Sequence, residues 1–136
     1  LSGEGARKFG GRWNTLGRKM VYLGGSRALA ALELLVHLPS PLSRAKPFSI
    51  MEIKIPKSAV AVYPTKVLPE YWRTDSGLKI TTELGNDWYD AGGQLAMIVP
   101  SVLIPEETNV ILNPEHKDFK KILVGDPKLF RFDKRL

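Results

Sequence analysis

Between Ala28 and Leu38 the chain reads ALAALELLVHL, and only Glu33 and His37 interrupt the apolar run. A run of this length and composition predicts a helix that is apolar nearly all round, the kind normally buried in a core. Ser26, placed after Gly24-Gly25, is a suitable N-cap, and Pro39 and Pro41 stop the helix near Leu38. Ser26, Ala30, Glu33 and His37 recur at helical spacing and form one thin stripe of small or polar side chains. A carboxylate in such surroundings must be paired, neutralised or opened onto a cleft where its charge is used. The stripe is therefore expected to look out along a cleft, with Glu33 in its wall.

The rest of the chain is punctuated more finely. Residues 20–23 read as a short strand feeding this helix, and residues 48–55 and 59–63 as second and third strands. Residues 64–80 form a mixed connection containing Tyr71 and Trp72, and residues 81–90 a helix closed by Gly92-Gly93. Residues 95–99 are a continuous apolar run suited to a strand buried on both faces, which Pro100 ends, leaving Ser101 just beyond it. Residues 110–112, 122–124 and 129–132 are further short strands, whereas residues 1–18, rich in Gly, Arg and Lys, read as a loop with tight turns at Gly10-Gly11 and Gly17. With no internal repeat, the pattern predicts an α+β fold: one domain of short, mainly antiparallel strands with a few helices.

Composition narrows the class. A chain of 136 residues with 43% apolar side chains fills one core, and no apolar run reaches the length of a membrane span. No signal peptide is visible, and the absence of cysteine excludes disulfides and thiolate zinc sites, in keeping with a cytoplasmic protein. The net charge of +6 and pI near 9.7 suit an anionic partner, substrate or surface. The bases are scattered, however, from Arg7, Lys8, Arg12, Arg18 and Lys19 to a second group between Lys117 and Arg135. No nucleic-acid-binding motif is readable, so a solvated basic surface accounts for them better.

Few residues carry candidate chemistry. Glu33 is the foremost; the plain alternative is a buried carboxylate held by an arginine or by backbone donors. Arg12 lies among glycines, where a planar guanidinium fork can grip a phosphate or pyrophosphate that approaches the backbone closely, or can pair with a surface carboxylate. Tyr22 sits at the end of the first strand. Ser101 can donate a hydrogen bond to a substrate or begin a turn, but no G-x-S-x-G elbow surrounds it. GEGARKFGG lacks the G-x-G-x-x-G spacing of a dinucleotide fingerprint. His37 and His116 are isolated and suit a cleft wall and a turn, and Trp13, Trp72 and Trp88 suit core or cleft-wall positions.

Taken together, GGRWN at 10–14, VY at 21–22, LAALELLVHL at 29–38, Trp72, GNDW at 85–88 and VPS at 99–101 resemble the RES-domain toxins. So does the tail: Asn109 through Leu112-Asn113-Pro114, His116 to Asp118-Phe119, Phe132-Asp133 and Arg135-Leu136. The order and approximate spacing of the family are kept over nearly the whole chain, read as one RES domain over residues 1–136. The resemblance implies an ADP-ribosyltransferase-like fold and the toxin half of a bacterial toxin–antitoxin pair, with an Xre-type helix-turn-helix antitoxin as partner and DNA reached only through it. It implies NAD+ as substrate, hydrolysed or phosphorolysed at the nicotinamide–ribose bond without a metal, with no membrane association. ADP-ribosylation of a cellular protein is the alternative, and a non-catalytic basic binding module a second one. Of the arginine, glutamate and serine that name the family, the glutamate maps onto Glu33 and the serine onto Ser101, and Tyr22 matches the tyrosine counted with them. Arg12 matches a separate arginine in GGRWN; the named arginine is expected on a strand upstream of Leu1, so the domain is expected to lack its N-terminal segment. By this reading Glu33, Tyr22 and Ser101 are catalytic, and Arg12 joins them in binding NAD+.

Overall fold

In a computed structural model that describes all residues from Leu1 to Leu136, the apolar run after Gly92-Gly93 becomes an inner strand of a four-stranded sheet. The elements in chain order are α1 (Glu4–Phe9), β1 (Val21–Gly24), α2 (Arg27–Leu35), α3 (Pro41–Arg44), β2 (Phe48–Ile50), β3 (Ile53–Lys54) and β4 (Val60–Val62). After a series of 3-10 turns come α4 (Leu78–Ala91), β5 (Ala96–Pro100), β6 (Thr108–Leu112), β7 (Leu123–Val124) and β8 (Lys128–Phe130). The main sheet has the order β1-β6-β5-β4, with only the β4–β5 pair parallel, and two antiparallel pairs, β2–β8 and β3–β7, complete the α+β fold. The register pairs Tyr22 with Ile111 and Gly24 with Asn109, and those β6 residues pair on their other side with Met97 and Val99 of β5.

The sheet is covered on both faces, as an apolar run such as β5 requires. Met97, Val99 and Ile111 cluster with Trp13, Met20, Leu68, Trp72 and Trp88. Leu95, Ala96 and Leu112 form a second cluster, joined by Val21, Leu23, Ile53, Val60, Phe119 and Ile122. All three tryptophans thus serve the core. Gly92, in the left-handed conformation at φ 59°, ends α4 where the glycine pair predicts.

Three sequence expectations change. The loop expected over residues 1–18 contains α1, a helix of 6 residues between Gly3 and Gly10, both at φ 71°. Its first-turn Glu4 pairs with Arg7 at 2.8 Å, and its backbone is tied down from outside: Asn14 Nδ2 donates to the Ala6 carbonyl at 3.0 Å, and the Gly17 N–H to the Arg7 carbonyl at 2.9 Å. The strand expected over residues 48–55 is two, β2 and β3, because its partner strand is itself broken at Gly125-Asp126-Pro127. The apolar helix, α2, ends at Leu35, and of its residues only Leu29 is fully buried. The rest of the helix is half-buried or exposed, and its stripe of small and polar residues lines a cleft.

Candidate active site

Edge strand β1 and helix α2 enclose this cleft, and two glycines make their junction tight. A Cβ at Gly24 would stand 2.5 Å from the Ala30 backbone nitrogen, and one at Gly25 2.4 Å from the Thr108 carbonyl oxygen. Gly25 also donates its N–H to that carbonyl at 2.9 Å, and Ser26 Oγ caps the helix by accepting from the Leu29 N–H at 3.1 Å. The chain is thereby folded back over β6. Ser26, Ala30, Glu33 and His37, the stripe seen in the sequence, all line the resulting cleft of about 1290 Å³, together with Arg12, Tyr22 and Asn109.

Glu33 is held from behind, without any arginine. Ser101 Oγ donates to Glu33 Oε1 at 2.9 Å, and Asn109 Nδ2 donates to the same oxygen at 2.6 Å. Ser101 is fully buried and its hydroxyl oxygen also accepts from the backbone N–H groups of Leu103 at 3.1 Å and Ile104 at 3.2 Å. Every hydrogen-bonding position of that hydroxyl is therefore committed. It has neither a free proton for a substrate nor a place in the cleft wall, and what it does is hold Glu33. The second carboxylate oxygen, Oε2, has no protein donor.

Tyr22 contributes its ring to the wall while its hydroxyl points inward. The hydroxyl accepts from the Trp13 N–H at 3.1 Å and donates to Asn14 Oδ1 at 2.7 Å. Burial pushes the phenol well above the usual tyrosine range, only partly offset by the Trp13 N–H. It stays neutral and acts as a fixed surface. Gly11 is required here, since a Cβ on it would meet the Tyr22 hydroxyl at 2.6 Å.

Arg12 NH1 donates to the carbonyls of Trp72 at 3.0 Å and Thr74 at 3.1 Å, so the side chain is anchored through one nitrogen while Nε and NH2 have no protein partner. That leaves a two-donor edge, the form suited to a phosphate. Helix α4 pins the loop that carries Arg12. Gly85 lies so close that a Cβ would stand 1.9 Å from the Trp13 carbonyl oxygen, and Asn86 exchanges hydrogen bonds with Thr15, each at 3.1 Å. Of the histidines, His37 is exposed at the cleft, whereas His116 is buried in the turn after β6, its Nδ1 accepting from the Asp118 N–H at 3.1 Å.

Four residues singled out from the sequence thus surround one cleft, Arg12, Tyr22 and Glu33 in its wall and Ser101 behind it. Sequence reasoning gave no role to Asn14 or Asn109. The signal for Asn109 is faint, one amide at the polar start of a strand that is otherwise apolar.

Residues 1–133 match the RES domain family. The chain belongs to the RES domain family. Among its relatives, a "Toxin Res" of Yersinia enterocolitica is 38% identical over 136 residues, covering 99% of this chain and 89% of that protein. A "Prs ADP-ribosylating toxin" of Sphingobium is 38% identical over 142 residues, covering all of this chain and 86% of that protein. A chain of the M. tuberculosis MbcT–MbcA toxin–antitoxin complex shares the fold of this RES protein, with a TM-score of 0.78 at 17% identity, over 96% of this chain and 77% of that one. Relatives that match nearly its whole length are named as toxins, and the structural neighbour comes from a toxin–antitoxin complex. None of its helices is long and apolar enough to cross a membrane.

Proposed function

We propose that this RES protein breaks the nicotinamide–ribose bond of NAD+ and passes the ADP-ribosyl group to water or inorganic phosphate. The observation that carries the reading is Glu33: a carboxylate in a cleft wall, anchored by two donors at one oxygen and free at the other. Cleavage of this bond develops positive charge on the ribose, as in glycoside hydrolysis. A fixed carboxylate beside the sugar stabilises that charge with no reorganisation cost.

One such carboxylate is sufficient. The pyridinium nitrogen takes the bonding pair and leaves as neutral nicotinamide, so no acid is needed to protonate a leaving group. Water attacks the anomeric carbon and loses one proton to solvent, giving ADP-ribose; phosphate attack gives the 1-phosphate instead. The other lining carboxylate, Glu52, is exposed and has no comparable support. Tyr22 offers a neutral ring against which the nicotinamide or ribose can pack. The free edge of Arg12 suits the pyrophosphate, and Ser101 keeps Glu33 in place. A cleft of about 1290 Å³ has room for a dinucleotide together with an acceptor.

The name of the Sphingobium relative favours a second reading, transfer of ADP-ribose to a protein side chain in place of water. Both readings use the same cleavage and differ only in acceptor. The fold shared with a chain of a toxin–antitoxin complex supports a protein antitoxin as partner; that this antitoxin is of the Xre helix-turn-helix type and meets the toxin in the cytoplasm is what the family resemblance adds to the proposal. Incubating the chain with NAD+ labelled in the adenylate, with and without phosphate and with and without cell lysate, tests the two readings of the reaction. Label in ADP-ribose or its 1-phosphate supports the first reading, label on protein supports the second, and intact NAD+ throughout refutes both.

A further inference from the structure

Asn109 stands apart from the other polar residues around the cleft because its two ends are treated unequally. Nδ2 donates to Glu33 Oε1 at 2.6 Å, at the short end of charge-assisted bonds, while Oδ1 is buried with no partner at all. A buried, unpaired amide oxygen is costly, and native proteins rarely keep one. Rotating the amide would not remove the cost, since it would set Oδ1 against a carboxylate oxygen. One end of the amide is thus left without a protein partner while the other is committed to Glu33.

The geometry points to Asn109 as a positioning residue that selects which oxygen of Glu33 works. Ser101 and Asn109 approach Oε1 from two different elements, the turn after β5 and the strand β6. A single donor would leave the carboxylate free to rotate about that bond. Two donors on one oxygen fix its plane and turn Oε2 to the cleft. Asn109 can do this because the register puts it directly opposite Gly24, where a Cβ would stand 2.5 Å from the backbone of α2 at Ala30. Any side chain at position 24 would push α2, and Glu33 with it, out of reach of the amide. The pairing Gly24–Asn109 is thus one device, clearance on one strand and a donor on the next.

This inference rests on the reading of Glu33 as the working carboxylate, and its test separates the two. In the 15N-labelled chain the side-chain amide of Asn109, assigned by its loss in Asn109→Ala, is expected to show a proton shifted well downfield, which returns to an ordinary position in Glu33→Ala. With NAD+, Asn109→Ala is expected to lower kcat for nicotinamide release by roughly a hundredfold, the scale of a misplaced catalytic group, with KM moving less than about threefold. An ordinary amide resonance indifferent to Glu33→Ala overturns the inference, as does an unchanged kcat or a rise in KM alone. If Asn109→Ala does not fold, through-bond assignment of the wild-type Asn109 side chain from its own backbone replaces it, and wild type against Glu33→Ala decides by that amide signal. A wild-type chain that leaves NAD+ intact refutes the reaction, and the amide signal then decides the role of Asn109 on its own.

Discussion

Replacing Ser101 by alanine removes three hydrogen bonds at once from a fully buried site: one donated to Glu33 and two accepted from the Leu103 and Ile104 N–H groups. Each backbone donor left without a partner costs about 1–3 kcal/mol, and because Leu103 and Ile104 are half-buried, water recovers part of this. The expected loss is about 2–4 kcal/mol, a fall in Tm of roughly 6–15 °C for a domain of this size. Glu33 meanwhile keeps only the Asn109 anchor, so nicotinamide release should drop about 10–100-fold. Glu33→Gln makes the instructive contrast. Its amide oxygen still accepts from Ser101 and Asn109, so the fold should melt within about 3 °C of wild type. Its charge is gone, and turnover should fall by about a thousandfold or more. The assay pairs thermal melts with chromatographic measurement of nicotinamide for the three proteins. A Ser101→Ala protein that melts like wild type, or that turns over at the wild-type rate, would refute the role assigned to this hydroxyl.

Gly85→Ala should be among the most damaging single changes away from the cleft, because its Cβ would meet the Trp13 backbone carbonyl at 1.9 Å; a stability loss above about 3 kcal/mol is expected in chemical denaturation. Arg12→Lys cannot keep both carbonyl anchors and offer a two-donor edge, so KM for NAD+ should rise about tenfold with kcat little changed. Tyr22→Phe retains the ring and loses the bonds to Trp13 and Asn14, costing about 1–2 kcal/mol while leaving turnover within about fivefold of wild type. Alkaline stability follows from two tyrosines: burial raises Tyr22, and burial with the Glu115 hydrogen bond pushes Tyr89 up to about 12. Folded values above the unfolded one mean that their stabilisation is whole below about pH 10 and is lost as the pH rises beyond it. Melts from pH 8 to 12 should therefore show a decline that Tyr22→Phe and Tyr89→Phe together flatten.

Features with a local cause were legible in the sequence. Ser26 caps α2, Gly92 ends α4, Pro100 ends β5, and the stripe from Ser26 to His37 faces a cleft, each set by residues within a turn or two of one another. What depends on distant partners was not. Helix α1 has no apolar period and is held by Asn14 and Gly17. The break between β2 and β3 is dictated by Gly125-Asp126-Pro127, far along the chain. The composition of α2 reports that it is apolar, not that Leu29 alone of its residues is fully buried. Arg12 offered the chemistry of a phosphate ligand, but its carbonyl anchors lie 60 and 62 residues away. Asn109 reaches Glu33 across 76 residues, through a strand register that no periodicity displays.

The most direct test of the account is nicotinamide release from NAD+ by the purified chain and by Glu33→Gln, each with cell lysate present so that water, phosphate and protein acceptors are all available. Release by the wild type, and its loss in a Glu33→Gln protein that melts at the same temperature, is the result expected. NAD+ left intact by the wild type, or equal release by both proteins, would contradict it.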